Sequence, residues 1–464
     1  MKLNILLKKG CAMGERFLKV FIVIGFISLV GGRFGHASGS GGVRIYGADS
    51  EAMGKAGAFV AEADNASAVY YNPAGLTQLK ESQASFSLPW LNVFVDHTNA
   101  SGVETQMRRT SVPLPSMYYT HNFGLDRMNF GVGARPNYGA GTDWAPDSFS
   151  GYVATKTDME NLDYLITGAM QVTDNLSFGI GFDVVDAKLS QNKNLNQLPG
   201  SDAQAQLKFS DVAWSYSLST LYKFNEQHQI GLQYKSQPDM KLEGKTYLHG
   251  LSDAGATPLA TIFGGSTYST DVEWDVDLPQ SLVLGYSYQP NDQWRVNLDV
   301  EWTDWSVIEQ EVINFPSESD ATRLTVLDAA TRLPLDWHGS FAYSLGTEYQ
   351  YNEQTRLRAG YFFHESPIPE ENFNTFLPDS QSHGVSLGFG YDINDSMVLD
   401  LAWNGVFFKD RKIDNAVGAS SGASIDGTYE EYMNIAYAGF TYKFSSFGRE
   451  KEKLVKVSGL NEGE

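Results

Sequence analysis

Cysteine is almost absent from this chain of 464 residues, since Cys11 is its one cysteine and lies near the N-terminus. An export leader would carry Cys11 away, so a disulfide-stapled scaffold is excluded for the mature chain. Basic residues are also scarce, at 34 against 55 acidic ones, and the net charge of -21 excludes nucleic acid as a partner. After the leader no run of about eighteen apolar residues is uninterrupted, which excludes a membrane-spanning helix.

The segment 1–37 has the pattern of a secretory signal peptide. Lys8 and Lys9 belong to a cationic start, an apolar run follows at 20–30, and Gly35-His36-Ala37 supplies small residues for cleavage. The run is too short to span a bilayer comfortably as a helix. We therefore expect an exported protein whose mature chain begins near residue 38.

Alternation of apolar and polar residues dominates the chain from about residue 80 onward. In WRVNLDVEW, Trp294, Leu298 and Trp302 share one face, while Arg295 and Asp299 share the other. This is the period of a β-strand. The pattern recurs at 176–184, 282–288, 341–345, 357–363, 385–393 and 436–444. A soluble β-sandwich also alternates, so the connections between strands have to decide between the two architectures.

Short and long connections follow one another along the chain. Short turns with Asn or Asp occur at 123–128, 172–176, 224–228, 289–294, 351–355 and 393–397. Long polar connections lie near 96–107, 139–160, 188–206, 236–272, 306–334, 365–383 and 409–431. This order predicts fourteen strands, with short turns on one rim and long loops on the other, as in bacterial outer-membrane barrels. We predict an all-β fold, a 14-stranded antiparallel transmembrane β-barrel over 80–444, followed by a charged flexible tail at 445–464.

The segment 38–79 precedes the first strand and lacks sustained alternation. It is rich in Gly and Ala, and its DSEAMGKAGAFVAEAD stretch predicts a partial helix capped by Asp49 or Ser50. Side chains alone do not fill a barrel of fourteen strands. We expect 38–79 to fill the lumen as an N-terminal plug, called the hatch below. At its end Pro73 fixes φ and biases Asn72 toward an extended conformation, which predicts a rigid corner before the first strand.

Three stretches together resemble the FadL/TodX family of outer-membrane long-chain fatty acid and hydrocarbon transporters. They are ADNASAVYYNPAGL, with Asn72, Pro73 and Ala74, LDVEWTDWS, and RLRAGYFFHESPIP. The resemblance runs from about Gly41 to Phe444. It implies a fourteen-stranded barrel closed by an N-terminal hatch, substrate capture between extracellular loops, an apolar pocket, and exit through a lateral gap beside a kinked third strand.

The third predicted strand, MNFGVGARPNYGAGTDW, is interrupted by glycine and proline. A proline inside a strand removes a ladder hydrogen bond, so we expect this strand to bend or to break its pairing. The resemblance implies a lateral opening here, and an ordinary strand end running into a Gly-rich loop is the structural alternative. The candidate residues are Gly133, Arg135, Pro136, Asn137, Tyr138 and Gly139.

The third and fourth long loops match the capture loops of the family by position. Apolar residues in otherwise polar loops often mark binding, and they also pack loops on themselves. The sequence leaves both interpretations open. The candidates are Leu195 and Leu198 in the third loop and Leu259, Ile262 and Phe263 in the fourth.

Four basic side chains fall on the lumen-facing parity of strands nine and eleven. A buried arginine can bind a fatty acid carboxylate through two hydrogen bonds. Pairing with protein carboxylates such as Asp299, Glu301 and Glu348 is the structural alternative, and we favour it. The candidates are Arg295, Arg356, Arg358 and His364.

These features predict a protein that passively imports hydrophobic compounds across the outer membrane of a Gram-negative bacterium. We expect long-chain fatty acids, with aromatic or aliphatic hydrocarbons as the alternative. A general porin or an adhesin/receptor barrel is the alternative of a different class. No catalytic motif is present, and a hydrolase built from Ser and His on neighbouring strands is the one enzymatic possibility left open. We expect no cofactor, no metal site, and a monomer surrounded by lipid and lipopolysaccharide.

Overall fold

The computed structural model describes residues 41–45, 47, 49–196, 202–255, 257–329 and 331–444. Most of these residues form strands, whose bounds in chain order are β1 Ser82–Thr98, β2 Glu104–Gln106, β3 Thr110–Pro113, β4 Ser116–His121, β5 Met128–Asp143, β6 Lys156–Gln171, β7 Leu176–Leu195, β8 Ala203–Lys223, β9 His228–Lys235, β10 Lys241–His249, β11 Thr267–Asp275, β12 Ser281–Asn291, β13 Trp294–Thr303, β14 Gln310–Val312, β15 Arg332–Pro334, β16 Ser340–Gln350, β17 Thr355–His364, β18 Ser382–Asn394, β19 Met397–Phe408, β20 Arg411–Ile413 and β21 Gly427–Phe444. Among the described residues no helix combines the length and apolar character needed to cross a membrane.

The strands form one closed antiparallel barrel. Four wall strands are interrupted, so β2 to β4 together form the second, β9 and β10 the seventh, β11 and β12 the eighth, and β19 and β20 the thirteenth. Strand β1 then pairs with β21 from Ser82 opposite Phe444 to Thr98 opposite Thr428, which closes the sheet. Fourteen wall strands result, as predicted, and closure leaves no long edge exposed.

The faces of the wall strands are inverted relative to a soluble protein. Ile180 is 60% exposed on the outside of β7, whereas its neighbours Gly179 and Gly181 face the interior. Large apolar side chains such as Ile166, Trp214, Leu284 and Leu387 are likewise exposed. An apolar exterior and a polar interior are the arrangement that a lipid environment requires.

The hatch fills the lumen toward the rim that carries the short turns. It contains helix α1 (Ser50–Gly54), helix α2 (Ala68–Tyr71) and a 3-10 helix at Pro73–Gln78. The predicted cap is present, because the Asp49 side chain accepts a hydrogen bond from the Ala52 amide at 3.1 Å. The long-loop rim carries helices α3 (Leu259–Phe263) and α4 (Ala321–Ala329), the small sheet of β14 and β15, and 3-10 turns at Trp305–Val307, Glu370–Asn372 and Ala419–Ser421.

Candidate functional site

The Asn72-Pro73 corner fastens the hatch to the barrel wall. Asn72 is extended, with φ -165° and ψ 96°, as proline after it requires. Its side-chain amide donates to the carbonyl of Val60 in the hatch at 2.8 Å and to the carbonyl of Thr220 in β8 at 3.1 Å. The Ala74 amide donates to Ser219 Oγ at 3.0 Å. The corner therefore joins two parts of the hatch and the wall at one point.

Close approach of the corner to the wall depends on glycine at Gly179 of β7. A Cβ atom at this position would lie 2.3 Å from the Ala74 nitrogen and 2.6 Å from the Pro73 carbonyl carbon. Side chains larger than hydrogen would therefore push the corner away from the wall. The pattern of the sequence placed this glycine on the interior face without showing what it contacts.

A buried ion-pair cluster holds the rest of the hatch. Lys55 is fully buried, and its ammonium lies 2.7 Å from Glu62, 3.3 Å from Glu51 and 3.9 Å from Glu348. Glu348 belongs to β16, so the cluster crosses from hatch to wall. The carboxylates of these three glutamates surround a cation that the protein itself supplies.

Two of the four basic candidates, Arg295 and Arg358, are paired with several carboxylates of the protein. Arg295 binds Glu62 and Asp64 of the hatch. Arg358 lies 2.6 Å from both Glu348 and Asp400. These contacts favour the structural interpretation of both arginines, because their guanidinium groups already have anionic partners.

The remaining two basic candidates are separated from each other. Arg356 binds Asp392 with two hydrogen bonds of 2.6 and 3.0 Å. His364 is buried and stacks on Phe362 with ring centroids 4.6 Å apart. Arg356 and Arg358 lie side by side over Gly390, but the four candidates do not converge as a single carboxylate site.

Strand β5 is interrupted at the predicted place. Its pairing with β4 covers only Phe130 to Ala134, and its register with β6 shifts between Pro136 and Gly139. Asn137 and Tyr138 form the resulting bulge. From Arg135 to Thr142, β5 has no partner strand on the β4 side among the described residues, so the wall has an interruption there.

The first described residues of the chain lie against this bulge. Arg44 forms an isolated bridge with Tyr138, the Ile45 amide donates to the Asn137 carbonyl at 2.8 Å, and the Gly139 amide donates to the Val43 carbonyl at 2.8 Å. We call residues 41–45 the closing segment. It adds a short strand to the part of β5 that the kink leaves irregular.

Two cavities lie on either side of the closing segment. The loop-side cavity is apolar and is lined by Val43 and by residues including Met240, Leu242, Trp274, Leu278, Trp337 and Phe376. The hatch-side cavity is lined by Arg44 and by residues including Met53, Val60, Tyr70, Phe362 and His364. Because consecutive residues line different cavities, the closing segment separates them.

Asp379 holds the closing segment from the sixth long loop. Its carboxylate accepts hydrogen bonds from the amides of Gly41 and Gly42 at 3.2 and 3.1 Å. Burial raises the pKa of Asp379 to about 6, although these amides and nearby Arg411 favour the ionised form. Trp305 packs against the other side, since a Cβ atom on Gly42 would lie 2.7 Å from its ring.

The apolar candidates of the fourth loop pack within the loops. Leu259 and Phe263 are buried in helix α3, and the Ile262 carbonyl accepts a hydrogen bond from Arg323 of α4 at 2.9 Å. Leu195 is half-buried against the same apolar core, and Leu198 lies outside the described residues. These contacts favour the loop-packing interpretation of the fourth-loop residues.

Sequence reasoning missed most residues that line the loop-side cavity. Leu242 and Trp274 lie on the inward faces of β10 and β11, so strand parity could have identified them. Ile308 lies in the fifth long loop and Trp337 lies between that loop and β16, and both line the cavity. No periodic signal marks residues of that kind.

A closed barrel filled by its own N-terminal segment, with an apolar cavity toward the long loops, defines a plugged transport barrel of the outer membrane. The family model described as outer membrane protein transport protein (OMPP1/FadL/TodX) matches residues 37–444. The chain belongs to this family. It is an outer-membrane transporter of hydrophobic compounds.

Similar proteins agree with this assignment. A putative outer membrane protein of Neisseria meningitidis serogroup B is 25% identical over 90% of this chain and 98% of its own length. The long-chain fatty acid transport protein of Escherichia coli K12 is 23% identical over 73% of this chain and 81% of its own length. Among solved structures, a Pseudomonas aeruginosa FadL homologue has a TM-score of 0.77 at 18% identity, and the Pseudomonas putida toluene transporter TodX has 0.67 at 21%. Each alignment covers 87% of this chain and 100% of the solved chain, which shows that the fold is shared.

Proposed function

We propose that this protein passively imports long-chain fatty acids through the loop-side cavity and releases them sideways at β5. A substrate captured among the long loops, including Leu195, Leu198 and the region of α3, enters the loop-side cavity. It then passes the closing segment and leaves where β5 is separated from β4. The exterior of the barrel contacts outer-membrane lipid and lipopolysaccharide. The protein acts as a monomer, because the barrel is closed by its own strands.

The observation that carries this proposal is the position of the closing segment. It separates the two cavities and at the same time bonds to the bulge of β5. A single displacement of residues 41–45 would therefore connect the cavities and free the irregular edge. The candidate residues of the opening, from Gly133 to Gly139, lie at this point.

Energetics require such a movement. Burial of fifteen methylene groups at about 0.8 kcal/mol each contributes roughly 12 kcal/mol before the costs of binding. Release from a rigid pocket of that affinity would be slow. Passive transport at a useful rate therefore needs a part of the protein that moves, and the closing segment and the rest of the hatch contribute to the lining of the cavities without belonging to the wall.

Hydrocarbons are the second candidate substrate, favoured by one observation. The three arginine candidates are paired with protein carboxylates, so none of them is available to bind the carboxylate of a fatty acid. An apolar compound without a carboxylate would need no such partner.

Uptake in a Gram-negative host deleted for its own transporter tests the proposal. Cells expressing this chain would receive labelled oleate, toluene or hexadecane, with the empty host as control. Import of oleate supports the proposal. Import of toluene or hexadecane without oleate would show that the substrate is a hydrocarbon. Absence of uptake of all three, with folded barrel in the outer membrane, would refute the transport proposal. A large steady ionic current through the purified protein would instead indicate a general porin.

A further inference from the structure

The loop-side cavity carries buried polar atoms that have no hydrogen-bond partner among the described residues. They are the indole nitrogens of Trp274 and Trp337, both side-chain amide atoms of Asn161, and the hydroxyl of Thr157. The remainder of the lining is mostly apolar. Buried polar groups in folded proteins are nearly always paired, so a concentration of unpaired atoms at one cavity requires an explanation.

Two other tryptophans of the chain have indole nitrogens with partners inside the protein. Trp144 is also buried, and its indole nitrogen donates to the Thr375 carbonyl at 3.1 Å. Trp90 is exposed, and its indole nitrogen donates to Ser111 Oγ at 2.9 Å. Trp274 and Trp337 are only 6% and 5% exposed, so bulk water does not substitute for the missing acceptor.

The chemistry of these atoms selects a class of ligand. An indole nitrogen is a donor only, so it requires an acceptor oxygen on the ligand. A carboxamide such as Asn161 offers one donor group and one acceptor, which complement the carbonyl and the hydroxyl of an un-ionised carboxylic acid. A saturated hydrocarbon satisfies none of them.

The charges around the cavity indicate that the ligand head is neutral. Lys188 is the one basic side chain that lines it among the residues that the structure describes, and its ammonium lies 3.5 Å from Asp186 while the side chain is 62% exposed. A buried carboxylate without a close cation would carry a large desolvation cost. The unpaired polar atoms at the cavity are neutral and match a neutral, oxygen-bearing head.

From these observations we propose that Asn161, Trp274 and Trp337, with Thr157, form a head-group site for the un-ionised carboxyl end of a long-chain amphiphile. This proposal rests on the transport function proposed above and deepens it, because it favours acids over hydrocarbons of equal length. The four residues determine specificity by hydrogen bonding, while the apolar lining binds the chain.

Equilibrium binding to the full-length mature protein in lipid nanodiscs tests this site independently of transport. The probes are labelled palmitic acid, methyl palmitate and hexadecane, which share a sixteen-carbon chain. The variants are Trp274→Phe, Trp337→Phe and Asn161→Leu, each of which removes hydrogen-bonding atoms while keeping an apolar side chain. Trp144→Phe is the matched control, because it removes an indole that already has a partner inside the protein.

The expected result is a change in the ratio of affinities for palmitic acid and hexadecane. One net hydrogen bond corresponds to about a fivefold change in affinity, so each Trp→Phe variant should lower the ratio by about fivefold. Asn161→Leu should lower the affinity for palmitic acid more than that for methyl palmitate, which lacks the hydroxyl. Trp144→Phe should leave both ratios as in the wild type.

Several outcomes would overturn the head-group site. Equal wild-type affinities for palmitic acid and hexadecane would show that the unpaired atoms are satisfied by trapped water or remain unpaired. A parallel loss of both ligands in the variants would show that the side chains only fill space. Selective binding of palmitic acid without uptake in cells would support this site and refute the transport function. Uptake in cells, with the same ratio of affinities in the variants as in the wild type, would support transport and refute this site.

Discussion

The two ends of the barrel lumen differ in how their polar groups are paired. Toward the short turns, the hatch meets the wall through charged and polar contacts, such as the ion pairs of Arg295 with Glu62 and of Arg358 with Glu51. Toward the long loops, the lining of the cavity is mostly apolar, and several of its polar atoms, including the indole nitrogens of two tryptophans, lack partners among the described residues. Ion pairs and hydrogen bonds within the protein therefore hold the hatch in place, whereas polar atoms without such partners at the loop-side cavity are available to a ligand. The closing segment lies at the boundary between these two regions.

The largest expected effect comes from locking that boundary. Arg44 and Tyr138 form a bridge flanked by two hydrogen bonds, so their Cα atoms are about 4.5 Å apart, within reach of a disulfide. In the double variant Arg44→Cys and Tyr138→Cys, oxidation should reduce oleate uptake by more than tenfold, and reduction with dithiothreitol should restore it. The double serine variant at the same positions controls for loss of the side chains. Undiminished uptake by fully cross-linked protein would show that the closing segment does not move.

Removal of the buried Arg358 guanidinium should sharpen the contrast on the hatch side. Arg358→Met would leave Glu348 and Asp400 of the wall without this partner and would remove the ion pair with Glu51 of the hatch, at a cost of about 3–5 kcal/mol of unfolding free energy. Arg356→Met is the matched control, since Arg356 is more exposed and pairs with one carboxylate, and we expect about 1 kcal/mol. Thermal unfolding in detergent measures both. Similar losses in the two variants would mean that the cluster does not fasten the hatch.

Asp379 provides a test that depends on pH. Its pKa of about 6 in the folded protein exceeds the ordinary value of 3.8, so the folded state binds more protons between these pH values. The free energy of unfolding should therefore fall by up to roughly 3 kcal/mol as pH rises from about 4 to about 6. Asp379→Asn should remove this part of the slope. A variant with the same pH dependence as the wild type would place the titrating group elsewhere.

A smaller effect is expected at the hatch corner. Asn72→Ala removes donors to the carbonyls of Val60 and Thr220, which should cost about 1–2 kcal/mol and increase the susceptibility of the hatch to protease. Asn122→Ala is the control, because the Asn122 side chain accepts a hydrogen bond only within an exposed turn. Limited proteolysis in detergent measures the difference. Equal susceptibility of both variants would show that the corner does not anchor the hatch.

The sequence predicted the wall better than its contents. Alternation and turn spacing predicted fourteen strands, and Pro136 marked the interruption of β5, because both depend on local backbone preferences. The same parity placed Arg295 and Arg358 in the lumen. It could not show that Glu62, Asp64 and Asp400 would reach them, because these contacts join residues far apart in the chain.

The sequence by itself determined the barrel, its orientation of short turns and long loops, and the presence of a plug before the first strand. Those features follow from periods of two residues and from turn chemistry, which act over short distances along the chain. Only the tertiary structure decided that residues 41–45 close the bulge of β5 and that Trp274 and Trp337 face one cavity from different elements. Such juxtapositions depend on closure of the sheet and on the path of the long loops, which no local pattern encodes.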